Sequence, residues 1–222
     1  LSSTGNCVPI RDTFIVNLFK SATVNAGNGA TRCKNNISPI ALSGAVQYAF
    51  GSAWSSSGSG SFGSIASVNT TYIPSPIDLT LDSIKIKLTS IGNLNGCPNT
   101  KDSLYIKFTP APIVSIGPDL YACSNNATVA ISGSVTAGST TGLWTGTGSG
   151  LFSPSTTSLN TIYQLSASDI TQGFVVIKLT STNNGNCKLV YDSLIVTVTP
   201  PPVVNAGIND TICSSNVFYP IN

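Results

Sequence analysis

Hydrophobic and polar residues alternate in several short stretches of this chain. In the segment SIKIKLTS, Ile84, Ile86 and Leu88 alternate with Lys85, Lys87 and Thr89. The matching segment further on alternates Val175, Ile177 and Leu179 with Val176, Lys178 and Thr180. A third apolar set, Leu104, Ile106 and Phe108, is matched by Leu194, Val196 and Val198, and by Phe14, Val16 and Leu18. Successive side chains of a strand point to opposite faces, so a period of two with one apolar face predicts strands half-buried in an antiparallel sheet. Further strands are expected near 37–43, 68–73, 127–133 and 160–165, with weaker ones around Trp54 and Trp144. No segment sustains a 3.6-residue period, so the helix content is expected to be close to nil.

The pattern repeats. Cys7, Cys97 and Cys187 are spaced by 90 residues, as are Cys33, Cys123 and Cys213. Trp54 and Trp144, Phe62 and Phe152, the glycines Gly27, Gly117 and Gly207, and the acids Asp12, Asp102 and Asp192 keep the same interval of 90. Such a period marks a tandem array. The expected divisions are 1–20, the end of a truncated repeat; 21–110 and 111–200, two complete repeats; and 201–222, the start of another. The boundaries fall at the proline-rich segments 109–112 and 199–202, which read as short, semi-rigid linkers. About seven short strands per repeat, separated by Gly, Asn and Ser turns, predict an all-β chain of tandem immunoglobulin-like sandwiches.

Composition supports a folded β protein and narrows its partners. The 222 residues are 41% hydrophobic but only 8% charged, with a net charge of +2 and no histidine. Nucleic acid is not an expected partner, because phosphate binding needs clustered Lys and Arg. No apolar run approaches the roughly 20 residues that cross a bilayer, so no membrane contact is expected in this segment. There is no initiator Met or signal peptide, whereas six cysteines and a Ser/Thr-rich surface suggest export, so the chain reads as an internal section of a longer secreted protein.

Two pairing schemes use the cysteines. One joins Cys33 to Cys97 and Cys123 to Cys187 within repeats, and leaves Cys7 and Cys213 to pair elsewhere. The other joins Cys7–Cys33, Cys97–Cys123 and Cys187–Cys213 across the junctions. The second would bridge an outgoing strand, a linker and an incoming strand, separating the ends by tens of Å at about 3.3 Å per residue. A disulfide tolerates less than about 7 Å between Cα atoms, so the first scheme is expected. It has one difficulty: a sandwich could place Cys33 and Cys97 towards opposite poles. Metal or redox chemistry is disfavoured, since there is neither a CxxC nor a histidine.

Trp54 and Trp144 each head a Gly/Ser stretch, WSSSGSGSF and WTGTGSGLF. A phosphate-cradling loop would lead into a helix N-terminus; these lead to Phe62 or Phe152 and another strand, and read as turns. Core packing is the expected role of both tryptophans, with an exposed sugar-stacking face as the alternative. Asp102 and Asp192 precede the last strand as turn residues. Asp119 and Asp210 could be imagined as calcium ligands, but single carboxylates beside a turn are read as structural. With no histidine base and no paired carboxylate, no catalytic residue, metal site or cofactor is expected.

The segments VNAGINDTICSSN, LWTGTGSGLFSPSTTSLNTIYQLSASDITQG, VVIKLTSTNNGNC and DSLIVTVTPPP resemble the Ig-like, PKD-like repeats of giant Bacteroidota surface proteins, including SprB-type adhesins of gliding bacteria. The resemblance runs along essentially the whole chain. It implies export by the type IX secretion system, a place at the cell surface with outer-membrane association through other regions, and for some members movement by the gliding motor. It also implies O-glycosylation in a motif of Asp, Ser/Thr and an aliphatic residue, which maps to Ser83, Ser103, Ser193 and Thr211. Asp12–Phe14 departs from that motif at its third position. Three roles follow as expectations: a structural stalk or filament of an adhesin, a carbohydrate-binding array, or an accessory stalk of a secreted enzyme. Expected partners are neighbouring repeats, surface polysaccharide or substratum, and laterally associated copies.

Overall fold

The period-two segments form two β-sandwiches in the computed structural model, which describes residues 5–209, 211, 213 and 214. The chain divides into two compact units. One is formed by the chain up to Ala111 together with Asn184–Lys188; the other by Pro112–Asn183 and the chain from Leu189 onward.

The first unit contains β1 (Thr23–Asn25), β2 (Ala30–Cys33), β3 (Ile40–Ser43), β4 (Ala45–Gln47), β5 (Ala49–Ser56), β6 (Ser61–Phe62), β7 (Asn69–Ile73), β8 (Ser83–Asn93) and β9 (Lys101–Thr109). One sheet has the order β2-β9-β8-β5, a second β3-β7-β6, and β1 pairs with β4. The second unit repeats the plan with β10 (Pro112–Ser115), β11 (Leu120–Cys123), β12 (Thr128–Ser132), β13 (Ser134–Ala137), β14 (Thr141–Gly146), β15 (Leu151–Ser153), β16 (Asn160–Gln164), the helix α1 (Ala167–Gln172), β17 (Phe174–Thr182) and β18 (Tyr191–Thr199). Its sheets run β11-β18-β17-β14 and β12-β16-β15, with β10 paired to β13.

The alternation becomes burial. Ile84, Ile86 and Leu88 of β8, with Leu104, Ile106 and Phe108 of β9, meet Ile40, Leu42 and Tyr72 of the facing sheet in one core. Val175, Ile177, Leu179, Leu194 and Val196 do the same against Val129, Ile131 and Tyr163. Fully burying one such aliphatic side chain contributes about 1.5–3 kcal/mol, so these rows carry much of the folding energy.

The opening strand of each repeat is broken in two. Gly27 and Gly117 have φ of 82° and 81°, a left-handed conformation that glycine adopts without a side-chain penalty. Past that break the chain changes sheet. β2 then runs parallel to β9, with Cys33 opposite Thr109, and β11 runs parallel to β18, with Cys123 opposite Thr199. These parallel edges depart from the all-antiparallel expectation, because the alternating pattern does not encode strand direction.

One further expectation fails. Residues 12–22 form no strand, and Phe14, Val16 and Leu18 are exposed. Their alternation is strand-like, but no second sheet covers the apolar face. Helix is present at Ala167–Gln172, opened by a capping box between Ser166 and Asp169 and closed by Gly173; the corresponding turn of the first unit is the 3-10 helix Asp78–Thr80. At six residues, the helix is too short to show a period.

Candidate functional site

The Gly/Ser stretch after each tryptophan folds onto a buried aspartate. Asp78 is 0% exposed and Asp169 1%. The carboxylate of Asp78 accepts the N–H of Ser59 at 2.7 Å, of Gly60 at 3.0 Å and of Ser75 at 3.1 Å, and the hydroxyl of Tyr72 at 2.7 Å. Asp169 accepts the N–H of Ser149 at 3.1 Å and of Ser166 at 3.0 Å, and the hydroxyl of Tyr163 at 3.0 Å. The tyrosine hydroxyls in turn accept the N–H of Gly60 and Gly150. Phe62 and Phe152 lie against these tyrosines, with ring centroids 5.0 and 4.9 Å apart.

Electrostatics follows from this saturation. Burial opposes the charged form of Asp78, but the hydrogen bonds from Tyr72, Ser59, Ser75 and Gly60 outweigh it and hold the carboxyl below its ordinary range. Asp169 is likewise lowered, with donors from Ser166, Tyr163 and Ser149 outweighing burial. Burial and then the bond to Asp169 push Tyr163 up to about 12; Tyr72 is raised first by burial. A carboxylate held ionised and surrounded by donors anchors a loop and is ill-suited to passing protons near neutral pH.

Sequence reasoning missed both aspartates. The signal was present as Ser-x-x-Asp at Ser75–Asp78 and Ser166–Asp169, but these pairs are 91 residues apart. A strict interval of 90 sets Asp78 against Ser168.

Trp54 and Trp144 are buried, at 3% and 1% exposure. Their Nε1–H groups donate to the carbonyls of Ser67 and Ser158, both at 2.9 Å. Neither indole offers a face to a sugar. Asp102 and Asp192 lie within β9 and β18 rather than before them, and accept the N–H of Ala26 and Ile116 at 2.9 and 3.1 Å. The N–H groups of Ala26 and Ser103 hold the Asp102 carboxyl below its ordinary range. Asp119 accepts from the N–H of Ile195 at 2.8 Å. Ser83 and Ser193 are exposed, Ser103 is half-buried, and Thr211 is exposed; Asp210 and Ile212, which complete the motif around Thr211, lie outside the described residues. Among the described residues no group of three His, Cys, Asp or Glu is arranged to hold a metal, and no helix is long and apolar enough to cross a membrane.

The cysteines correct the expected pairing. Cys33 is bonded to Cys187, with Cα atoms 4.9 Å apart, while Cys97 and Cys123 are thiols and Cys7 is an exposed thiol. The reason is the parallel edge. Cys33 stands beside Thr109 at the end of β9, whereas Cys97 precedes Lys101 at its start. Nine strand residues span roughly 30 Å, far beyond disulfide reach. The same separation divides Cys123 from Cys187. The bond lies inside the first compact unit, although its cysteines come from successive repeats of the sequence.

A clamp of amides surrounds it. Asn35 donates from Nδ2 to the carbonyl of Lys188 and accepts the N–H of Lys188 at Oδ1, both at 2.9 Å. Asn36 Nδ2 donates to the Asn186 carbonyl at 2.8 Å, and Asn186 Nδ2 to the Thr31 carbonyl at 2.9 Å. Side-chain amides here mimic strand pairing and hold the cysteine-bearing loop in register.

Neither a protein-family profile nor a curated protein matches the sequence. Among solved structures, the chain is similar to Drosophila N-cadherin EC1–4, with a TM-score of 0.42 and 10% identity over 79% of this chain and 49% of that one. Mouse cadherin-23 EC22–24 gives 0.42 and 11% over 82% and 67%, and the Sidekick-1 immunoglobulin domains 1–5 give 0.39 and 12% over 81% and 39%. The chain spans about half the length of the N-cadherin structure. The immunoglobulin-like arrangement is seen in the chain's own paired sheets.

Proposed function

We propose that this chain is a structural segment of a long extracellular adhesion protein, a run of crosslinked sandwiches that holds adhesive regions away from the cell. The observation that carries it is the use of the distinctive residues. The Gly-rich stretches are tied down by Asp78 and Asp169, the tryptophans fill the cores, and two cysteines form a crosslink. A disulfide also suits an oxidising compartment outside the cell. Further repeats of the array are the first partners, and lateral copies of the same chain the second.

The resemblance to Bacteroidota surface repeats supports the finer reading of a SprB-type adhesin, exported by type IX secretion, held at the outer membrane and used in gliding. Exposed Ser83 and Ser193 suit the O-glycan sites of that reading. Surface polysaccharide is a further partner: Lys85, Lys87 and Lys101 line an open depression together with Asp102 and the hydroxyl residues Ser55, Ser56, Ser57 and Ser103, a polar surface suited to a glycan. Antibody raised against the purified chain should label intact producing cells. Labelling only after lysis would reject the surface role. Native protein carrying unmodified Ser83, Ser103 and Ser193 would remove the glycans alone.

A further inference from the structure

Cys97 and Cys123 sit at the positions that are bonded elsewhere in the same molecule. Cys123 is the repeat equivalent of Cys33, and Cys97 that of Cys187. We propose that each is one half of a further crosslink of the Cys33–Cys187 type, completed by another copy of the ninety-residue repeat: the strand-end cysteine of one repeat bonds the loop cysteine of the repeat that follows it.

The scaffold around Cys123 reproduces that around Cys33. Each cysteine ends a strand paired in parallel with the last strand of its repeat, opposite Thr109 or Thr199. Each is followed by the same turn, in which Asn36 N–H donates to the Cys33 carbonyl and Asn126 N–H to the Cys123 carbonyl, both at 2.9 Å. The next backbone N–H, of Lys34 or Ser124, donates to the carbonyl of Thr109 or Thr199, again at 2.9 Å. Asn125 and Asn126 then occupy the places of the clamping pair Asn35 and Asn36, and both are exposed. Cys123 is half-buried and unbonded. A strand-end thiol with its loop-gripping amides is therefore already built.

The loop side is also recognisable. Cys97 follows Asn95 and Gly96, as Cys187 follows Gly185 and Asn186. Two differences have a chemical consequence: Pro98 stands where Lys188 does, and proline has no N–H to donate to an asparagine Oδ1, while Gly96 stands where Asn186 does and has no side-chain amide to donate. The amide clamp on that loop is thus two bonds weaker than the clamp seen, and keeps the two bonds accepted by its backbone carbonyls. The bonded pair is separated by 154 residues. The same interval places the partner of Cys123 on its C-terminal side and that of Cys97 on its N-terminal side, in both cases outside these 222 residues. Cys7 belongs to the loop class and follows the same rule.

Bond formation needs a disulfide oxidant, for which oxidised glutathione serves. The Cys123 thiolate attacks one glutathione sulfur and releases one glutathione thiolate. The loop cysteine thiolate then attacks the Cys123 sulfur of this mixed disulfide and releases the second. Two protein thiols lose two protons and two electrons; the oxidant leaves as two molecules of reduced glutathione.

The test inserts a second copy of residues 111–200 after Pro200 and forms the disulfides in a glutathione buffer. Peptide mapping without reduction should find Cys123 joined to the inserted copy of Cys187, alongside Cys33–Cys187. That product should exceed any other Cys123 pairing by at least about tenfold, since folded neighbours hold the thiols at high effective concentration. The mirror chain, with residues 21–110 copied in front of Ser21, should join the copied Cys33 to Cys97. Cys123 recovered as a thiol or bonded to another cysteine, or Cys97 likewise in the mirror chain, overturns the proposal. An extended chain that yields only scrambled disulfides counts against it equally, because equivalent repeats are required to accept one another.

Discussion

Tyr163 donates its hydroxyl hydrogen to Asp169 across 3.0 Å, with both side chains closed off from solvent; Tyr72 and Asp78 repeat the pair at 2.7 Å in the first unit. Because these carboxyls titrate below their ordinary range in the folded state, the fold gains stability from them above the unfolded carboxyl value of about 3.9 and loses it as pH falls through the lowered values. Asp169→Asn should destabilise the second unit by about 2–4 kcal/mol at neutral pH. It should also flatten the acid limb. Urea unfolding followed by tryptophan fluorescence at pH 7 and pH 3 checks both effects.

The same pair acts with opposite sign in alkali. The Tyr163 hydroxyl is raised to about 12, so its contribution is complete below the unfolded value of about 10 and is lost as pH rises through 12. Absorbance titration at 295 nm should show a tyrosine that resists ionisation until near pH 12, and Tyr163→Phe should remove that late step.

Gly148 leaves no room for a side chain. A Cβ there would stand 2.6 Å from Asp169 Cγ, whereas one at Gly146 would make ordinary contacts with Tyr163 at 3.5 Å and beyond. Gly148→Ala should therefore cost about 2 kcal/mol or more by displacing the buried carboxylate, and Gly146→Ala less than about 1 kcal/mol. Thermal unfolding of the two variants separates them.

Buried indoles predict a spectroscopic result. Trp54 and Trp144 should emit at short wavelength and resist quenching by iodide, and added oligosaccharide should not change their emission. Trp144→Ala should destabilise by about 3–5 kcal/mol, since it opens a cavity and leaves the Ser158 carbonyl without its Nε1–H partner.

How far the residues reveal the fold depends on the range of the interaction. The rows Ile84–Leu88 and Val175–Leu179 were readable because period-two burial is local. The repeat was readable because Trp, Cys and Gly anchors keep their spacing. Strand direction was not, since β2 and β9 pair in parallel through residues more than seventy positions apart, and nothing in ATRC states which way its edge faces. The cysteine pairing failed with it, because the partner of Cys33 depends on which pole of the sandwich each cysteine occupies. Asp78 and Asp169 were hidden by the one-residue shift between the repeats, and Phe14–Leu18 showed that alternation without a covering sheet does not make a strand.

The Cys33–Cys187 bond closes a loop of 154 residues and so constrains the unfolded chain by about 5 kcal/mol on the chain-entropy estimate. Cys33→Ser should lower stability by about 2–5 kcal/mol and leave the β-rich circular dichroism spectrum in place, which denaturant titration of wild type and variant checks.

Pulling the single chain by its ends tests the crosslinked-repeat account most directly. In the oxidised protein, force bypasses the residues between Cys33 and Cys187, so only the flanking segments extend. Adding reductant should release a further length of roughly 500 Å, the span of 154 residues at about 3.3–3.6 Å each, in two steps for two sandwiches. Equal extension with and without reductant would contradict the account.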